Sequence, residues 1–151
     1  MSDIRVSSSS IINGPAEKVW KTLRAFGGNE SFNPLVTSSE LEGATVSVGC
    51  KRVCYVSLDP GKNVLRTEEV LNSLDDQNRT MSYTVTSAPG TPFEGLVNAI
   101  SITSLPEENC EVRFTGTMTG KDELEIETKK KILDETYHKI LNGLKHLHDR
   151  N

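Results

Sequence analysis

Residues 110–149 read CEVRFTGTMTGKDELEIETKKKILDETYHKILNGLKHLHD, and two different periodicities meet in them. Up to Thr119 the side chains alternate. Val112, Phe114, Gly116 and Met118 share one face, while Arg113, Thr115 and Thr117 share the other. That is the pattern of a strand with one buried and one wet face. From about 121 to 149 the spacing becomes helical, with an apolar stripe of Leu124, Leu133, Tyr137, Ile140, Leu141, Leu144 and Leu147, and Ile132 alongside. Asp122, Glu123, Glu125 and Glu127 come early and Lys129, Lys130 and Lys131 follow. Glu125 with Lys129 and Glu127 with Lys131 are favourable pairs four residues apart, so the lysine run reads as a solvated helix face.

Working back from this strand and helix, the chain is a series of strands. Residues 4–12 predict the first, with Ile4, Val6, Ser8, Ser10 and Ile12 on one side. Pro15 suits a first helical position, and Val19, Trp20, Leu23 and Phe26 follow at helical spacing until Gly27-Gly28. A further short turn of helix is expected over Glu30 to Asn33. Strands are predicted near 35–42, 48–58, 63–73, 79–87, 95–104 and 110–119. Turn signals separate them, among them Glu42-Gly43, Asp59-Pro60-Gly61-Lys62-Asn63 and Ala88-Pro89-Gly90-Thr91-Pro92. Short connections make successive strands antiparallel neighbours. The expected fold is therefore α+β, one domain over 1–151, with a curved seven-stranded antiparallel sheet around a long C-terminal helix and two short helices after the first strand.

Composition narrows the function classes. The chain has 151 residues, 25% charged and 35% hydrophobic, with a formal net charge of −4. A mildly acidic domain has no electrostatic reason to bind nucleic acid, and no apolar run reaches the ~20 residues of a membrane span. Met1-Ser2-Asp3-Ile4-Arg5 carries no apolar signal core. Cys50, Cys54 and Cys110 are odd in number and lack a CxxC pair; Cys50 and Cys54, four apart on one expected strand, would stand roughly 13 Å apart. Reduced cysteines and the missing signal core predict a cytoplasmic protein. His138, His146 and His148 lack the spacing of a zinc pair and are expected on the solvent side. Gly116 to Asp122 has three residues between its glycines and Asp after Lys121, so it is no phosphate loop. Neither a metal nor a cofactor is expected.

One helix cannot close off a sheet of this size, and the space left between them suits a small apolar ligand. Parity along the strands supplies the walls. Arg52, Cys54, Val56 and Leu58 should point inward, as should Leu65, Thr67, Glu69 and Leu71, then Met81, Tyr83 and Val85, then Leu96, Asn98, Ile100 and Ile102. The helix adds Leu133, Tyr137 and Ile140, and Phe26 and Phe32 close the front. From these the ligand-contact set is Arg52, Cys54, Val56, Thr67, Glu69, Met81, Tyr83, Leu96, Asn98, Ile100, Leu133, Tyr137 and Ile140. Arg52 and Glu69 carry opposite charges on neighbouring strands. They are either a structural ion pair or a polar anchor for a ligand, the latter including acid–base work.

Several stretches are similar to one superfamily. They are Ile12 to Trp20, Phe26-Gly27-Gly28, Phe32-Asn33-Pro34, Ser39 to Gly43, Val48 to Arg52, Leu74-Asp75-Asp76 with Met81-Ser82-Tyr83, Pro92-Phe93-Glu94, and Tyr137 to Lys145. In this order they resemble the polyketide cyclase/START/Bet v 1-like (SRPBCC, helix-grip) proteins, and in particular the branch of bacterial cyclase-like proteins and plant abscisic-acid receptors. The resemblance implies a helix-grip fold around a ligand cavity, with a pocket glutamate where Glu69 stands. It differs from the receptors at Thr37, where they place an inward lysine. It also differs at Ser57-Leu58-Asp59-Pro60 and Gly90-Thr91-Pro92-Phe93, where they carry gate and latch motifs. Three functions follow: a small-molecule carrier; a cyclase or dehydratase in which Glu69, Arg52 and Tyr83 move protons; or an interaction module using the outer face of Arg66, Glu68, Arg113 and Thr115. That last face is too polar to favour docking.

Overall fold

Strand alternation carries through to the computed structural model, which describes residues 3–59 and 63–149. Seven antiparallel strands form one sheet: β1 Ile4–Ile12, β2 Val36–Glu42, β3 Lys51–Val56, β4 Leu65–Asp75, β5 Thr80–Ser87, β6 Val97–Leu105 and β7 Asn109–Met118. Their order is β1-β7-β6-β5-β4-β3-β2. The first and last strands thus pair with each other, and the chain returns strand by strand to β2. Between β1 and β2 lie the helix α1, Ala16–Arg24, and a single 3-10 turn, Asn29–Ser31. The helix α2, Glu123–Leu147, closes the chain and lies on the sheet's inner face.

Inward residues pack where parity puts them. On β7, Cys110, Val112, Phe114, Gly116 and Met118 are buried, and Leu71, Met81, Val85, Ile100 and Ile102 of the neighbouring strands join the same core. From α2 come Leu133, Tyr137, Ile140, Leu141 and Leu144. Gly116 and Gly143 allow the helix to come this close. A Cβ on Gly116 would strike the Tyr137 hydroxyl and approach Leu133 Cδ2 to 2.8 Å, and one on Gly143 would collide with the Phe32 carbonyl.

Helix α1 is tied to the β4–β5 turn. The Trp20 indole N–H donates to Asp76 Oδ1 at 2.8 Å, and Arg24 reaches both oxygens of the same carboxylate. Arg24, and then Trp20, hold Asp76 below the usual carboxylate range.

Several expectations need correction. Leu124 is 77% exposed and Leu147 44% exposed, so neither belongs to the buried stripe. Leu124 lies nine residues before Leu133, half a turn of the helical wheel (about 180°) from the core side; Ile126 packs inward instead. Leu147 occupies the last turn, after which the chain leaves helical geometry and His148 turns inward. His148 is therefore no solvent-side residue: it is 5% exposed, with Nε2 3.0 Å from Thr22 Oγ1. Phe26 lies beyond the end of α1 in a left-handed conformation (φ 63°), though still buried. β3 begins at Lys51 rather than 48, because Gly49 turns the chain with φ 95°. β4 runs on to Asp75 through a bulge between Leu71 and Ser73, which brings both Leu71 and Leu74 to the inner side. Pro60, Gly61 and Lys62 of the expected β3–β4 turn lie outside the described residues.

Candidate functional site

Register along two pairs of strands assembles the polar part of the interior. Arg52 on β3 lies directly opposite Glu69 on β4, and Tyr83 on β5 opposite Asn98 on β6. Side chains facing each other across antiparallel strands stand close enough to bond. Arg52 Nε donates to Glu69 Oε1 at 2.9 Å, and its Nη2 donates to the same oxygen. Its Nη1 donates to the Phe26 carbonyl at 2.6 Å. That bond explains the sharp turn after α1, since the left-handed Phe26 aims its carbonyl into the core. The rings of Phe26 and Tyr83 cover the guanidinium, with centroids 4.2 and 4.8 Å from Cζ.

Burial opposes the Arg52 charge, but Glu69, with Tyr83 and Cys54 adding to it, more than offsets burial and raises the guanidinium pKa above its ordinary value. Burial also pushes the Tyr83 hydroxyl up to about 12, even though the Arg52 charge works the other way. Tyr137 is pushed up by burial and then by its neighbour Tyr83, and its hydroxyl donates to Asn98 Oδ1 at 2.5 Å.

These groups border a cavity of about 70 Å³ between α2 and the sheet. Of the residues expected from strand and helix parity, Arg52, Val56, Thr67, Glu69, Tyr83, Leu96, Asn98, Leu133, Tyr137 and Ile140 line it, together with Val85 and Leu58. Met81 and Ile100 do not. They border a second, smaller pocket of about 20 Å³ deeper in the core, beside Leu23 and Phe114. Cys54 lines neither: its Sγ is 3.7 Å from Asn29 Oδ1, and the 3-10 turn covers it. Burial, then the Glu69 charge, pushes the Cys54 thiol up to about 11, which favours the protonated thiol of a core residue over a reactive thiolate. Thr37 is not inward either. It sits at a bulge in β2, exposed, with Oγ1 donating to the Tyr55 carbonyl, and Val36 is the residue that enters the cavity.

Besides Val36, parity missed Asn29, Asn33, Leu35, Phe93 and Thr136, which also line the cavity. Asn29, Asn33, Leu35 and Phe93 stand on loops and the 3-10 turn, where no periodicity says which way a side chain points. Thr136 was within reach, since 133, 136, 137 and 140 form one helical face. At 70 Å³ the cavity has room for a few waters by a scale of roughly 10–15 Å³ each. That falls short of the roughly 300–1,000 Å³ typical of ligand sites. Leu58, after β3, is exposed, and Leu35 and Phe93 are half-buried, so these lining residues reach the surface and stand at its mouth.

A curved seven-stranded antiparallel sheet gripping one long helix, with a cavity between them, defines a helix-grip protein of the Bet v 1-like superfamily. Residues 3–148 match the family described as polyketide cyclase / dehydrase and lipid transport, and the chain belongs to it. Protein XoxI from Bacillus cereus is similar in structure, with a TM-score of 0.77 at 20% identity over 96% of this chain and 95% of that one. So is the Zhui aromatase/cyclase from Streptomyces sp. R1128, with a TM-score of 0.77 at 16% identity over 97% and 93%. Ara h 8.0201 gives 0.75 at 14% identity over 97% and 98%. At these identities the likeness is one of fold. No curated protein matches the chain in sequence. Among the described residues no helix is long and apolar enough to cross a membrane.

Proposed function

We propose that this protein binds a small, largely apolar molecule in the cavity between α2 and the sheet, with the Arg52–Glu69 pair orienting its polar end. One observation carries the reading. The cavity wall is mostly aliphatic and aromatic, and its only charged members among the described residues are this one cross-strand pair. Apolar walls with few polar groups are how proteins bury a ligand and fix its orientation. Because the resting volume is small, a ring-sized ligand must displace side chains at the mouth, and Leu58 and Phe93 stand there.

Holding a ligand fits this wall better than proton transfer does. A cyclase or dehydratase of the kind the family name covers would need donors and bases with pKa values near neutrality. Tyr83 is pushed to about 12, and Tyr137 already donates to Asn98. Three free cysteines suit a reducing compartment, and we place the protein in the cytoplasm on that ground.

The test uses N-phenyl-1-naphthylamine, a neutral dye that brightens in apolar surroundings. Native protein should bind it saturably, and Val56→Trp, which fills the cavity, should lose most of that signal while still folded by thermal melt. Equal dye binding by parent and Val56→Trp would place the dye elsewhere and remove the support for this reading.

A further inference from the structure

The charged hydrogen-bonding capacity left over in the cavity wall has a sign. Arg52 is 5% exposed, its charge is met by Glu69, and the rings of Phe26 and Tyr83 pack together against its guanidinium. Both of its bonds to Glu69 land on Oε1. Among the described residues no hydrogen bond reaches Glu69 Oε2, and Glu69 borders the cavity. Three hydroxyl donors of the wall are spent on the protein: Tyr137 on Asn98, Thr136 on the Ile132 carbonyl at 2.8 Å, and Thr67 on the Cys54 carbonyl at 3.5 Å. The donors that remain, the Tyr83 hydroxyl and the amides of Asn29, Asn33 and Asn98, are neutral, so the one charged group with capacity to spare is Glu69.

From this we infer that the ligand's polar end is a hydrogen-bond donor, a hydroxyl or phenol, and not a carboxylate. The inference rests on the ligand-site reading above and goes on to name the ligand class. A hydroxyl placed against Glu69 Oε2 makes a charge-assisted bond without disturbing Arg52. A carboxylate there would face a like charge in a desolvated site, and could reach Arg52 only by displacing Glu69. Asn98, with Oδ1 occupied by Tyr137, has its amide N–H groups to offer, but a neutral amide does not offset burial of a second anion beside Glu69.

Three probes of one shape separate the possibilities: 4-ethylphenol, 4-ethylanisole and 4-ethylbenzoate, each titrated calorimetrically into the parent at neutral pH. The phenol should bind at least about tenfold more tightly than the other two, the low end for a hydrogen bond to a charged acceptor. In Glu69→Gln its advantage over the anisole should shrink to less than about threefold, and the benzoate should gain, because Arg52 is then uncompensated. If 4-ethylbenzoate binds the parent as tightly as 4-ethylphenol, the inference falls while the ligand site stands. If none of the three binds, the ligand site falls and the inference with it. Should Glu69→Gln fail to fold, the ranking of the three probes on the parent decides alone.

Discussion

His148 shows what a single residue at the end of a helix can do. Its ring is buried between the end of α2 and the helix α1, with Nε2 bonded to Thr22 and Nδ1 without a partner among the described residues. Burial, and then the charge of Lys18, pulls its pKa below the ordinary 6.5. The folded state thus disfavours protonation, while the unfolded chain takes up the proton near 6.5. The stability this residue contributes is therefore present above about pH 6.5 and lost as pH falls below it toward the folded value. Urea midpoints at pH 7.5 and 5.5 check this. The parent should lose more stability between the two than His148→Gln, in which nothing titrates at that position. Equal losses would mean that the buried ring does not resist protonation. The same residue marks a limit of reading from sequence. Near the end of a helix, whether a side chain continues the exposed face or folds back depends on where the helix stops, and that is decided by contacts with α1.

At the scale of elements, strand and helix types were legible because each carries a clear period. The alternation of β7 and the 133–144 stripe of α2 both sit where the pattern put them. Boundaries were less legible. β3 loses its first predicted residues to a turn at Gly49, and β4 gains two through a bulge, since neither a left-handed glycine nor an extra strand residue alters composition. The stripe of α2 went wrong only at its ends, which gives a direct contrast. Leu144 is fully buried and Leu147 is 44% exposed. Leu144→Ala should cost about 2–5 kcal/mol, the range for deleting a packed leucine, and Leu147→Ala within about 0.5 kcal/mol of nothing. Denaturant melts of the two variants would show it. Similar costs for both would mean that the helix is seated differently on the sheet.

For the molecule as a whole, the site is what the fold leaves over. The sheet supplies Arg52, Glu69, Tyr83 and Asn98 from four consecutive strands, α2 supplies the roof, and the loops supply the mouth. The part built from strands and helix was predictable by counting in twos and by helical spacing. The front wall of Asn29, Asn33 and Leu35 was not, because it belongs to irregular chain whose direction is fixed only when Phe26 turns its carbonyl toward Arg52. Cys54 illustrates the converse: its inward parity is right, and the 3-10 turn above it closes it off from the cavity.

The claim that this cavity is a binding site is tested most directly by titrating 4-ethylphenol into isotope-labelled protein and following backbone amide and side-chain methyl resonances. The expected result is saturable shifts that are largest at Val56, Leu96, Leu133 and Ile140, small on the outer face at Arg66, Arg113 and Thr115, and abolished in Val56→Trp. Shifts concentrated on the outer face of the sheet, or a titration that leaves the cavity methyls unmoved, would contradict it.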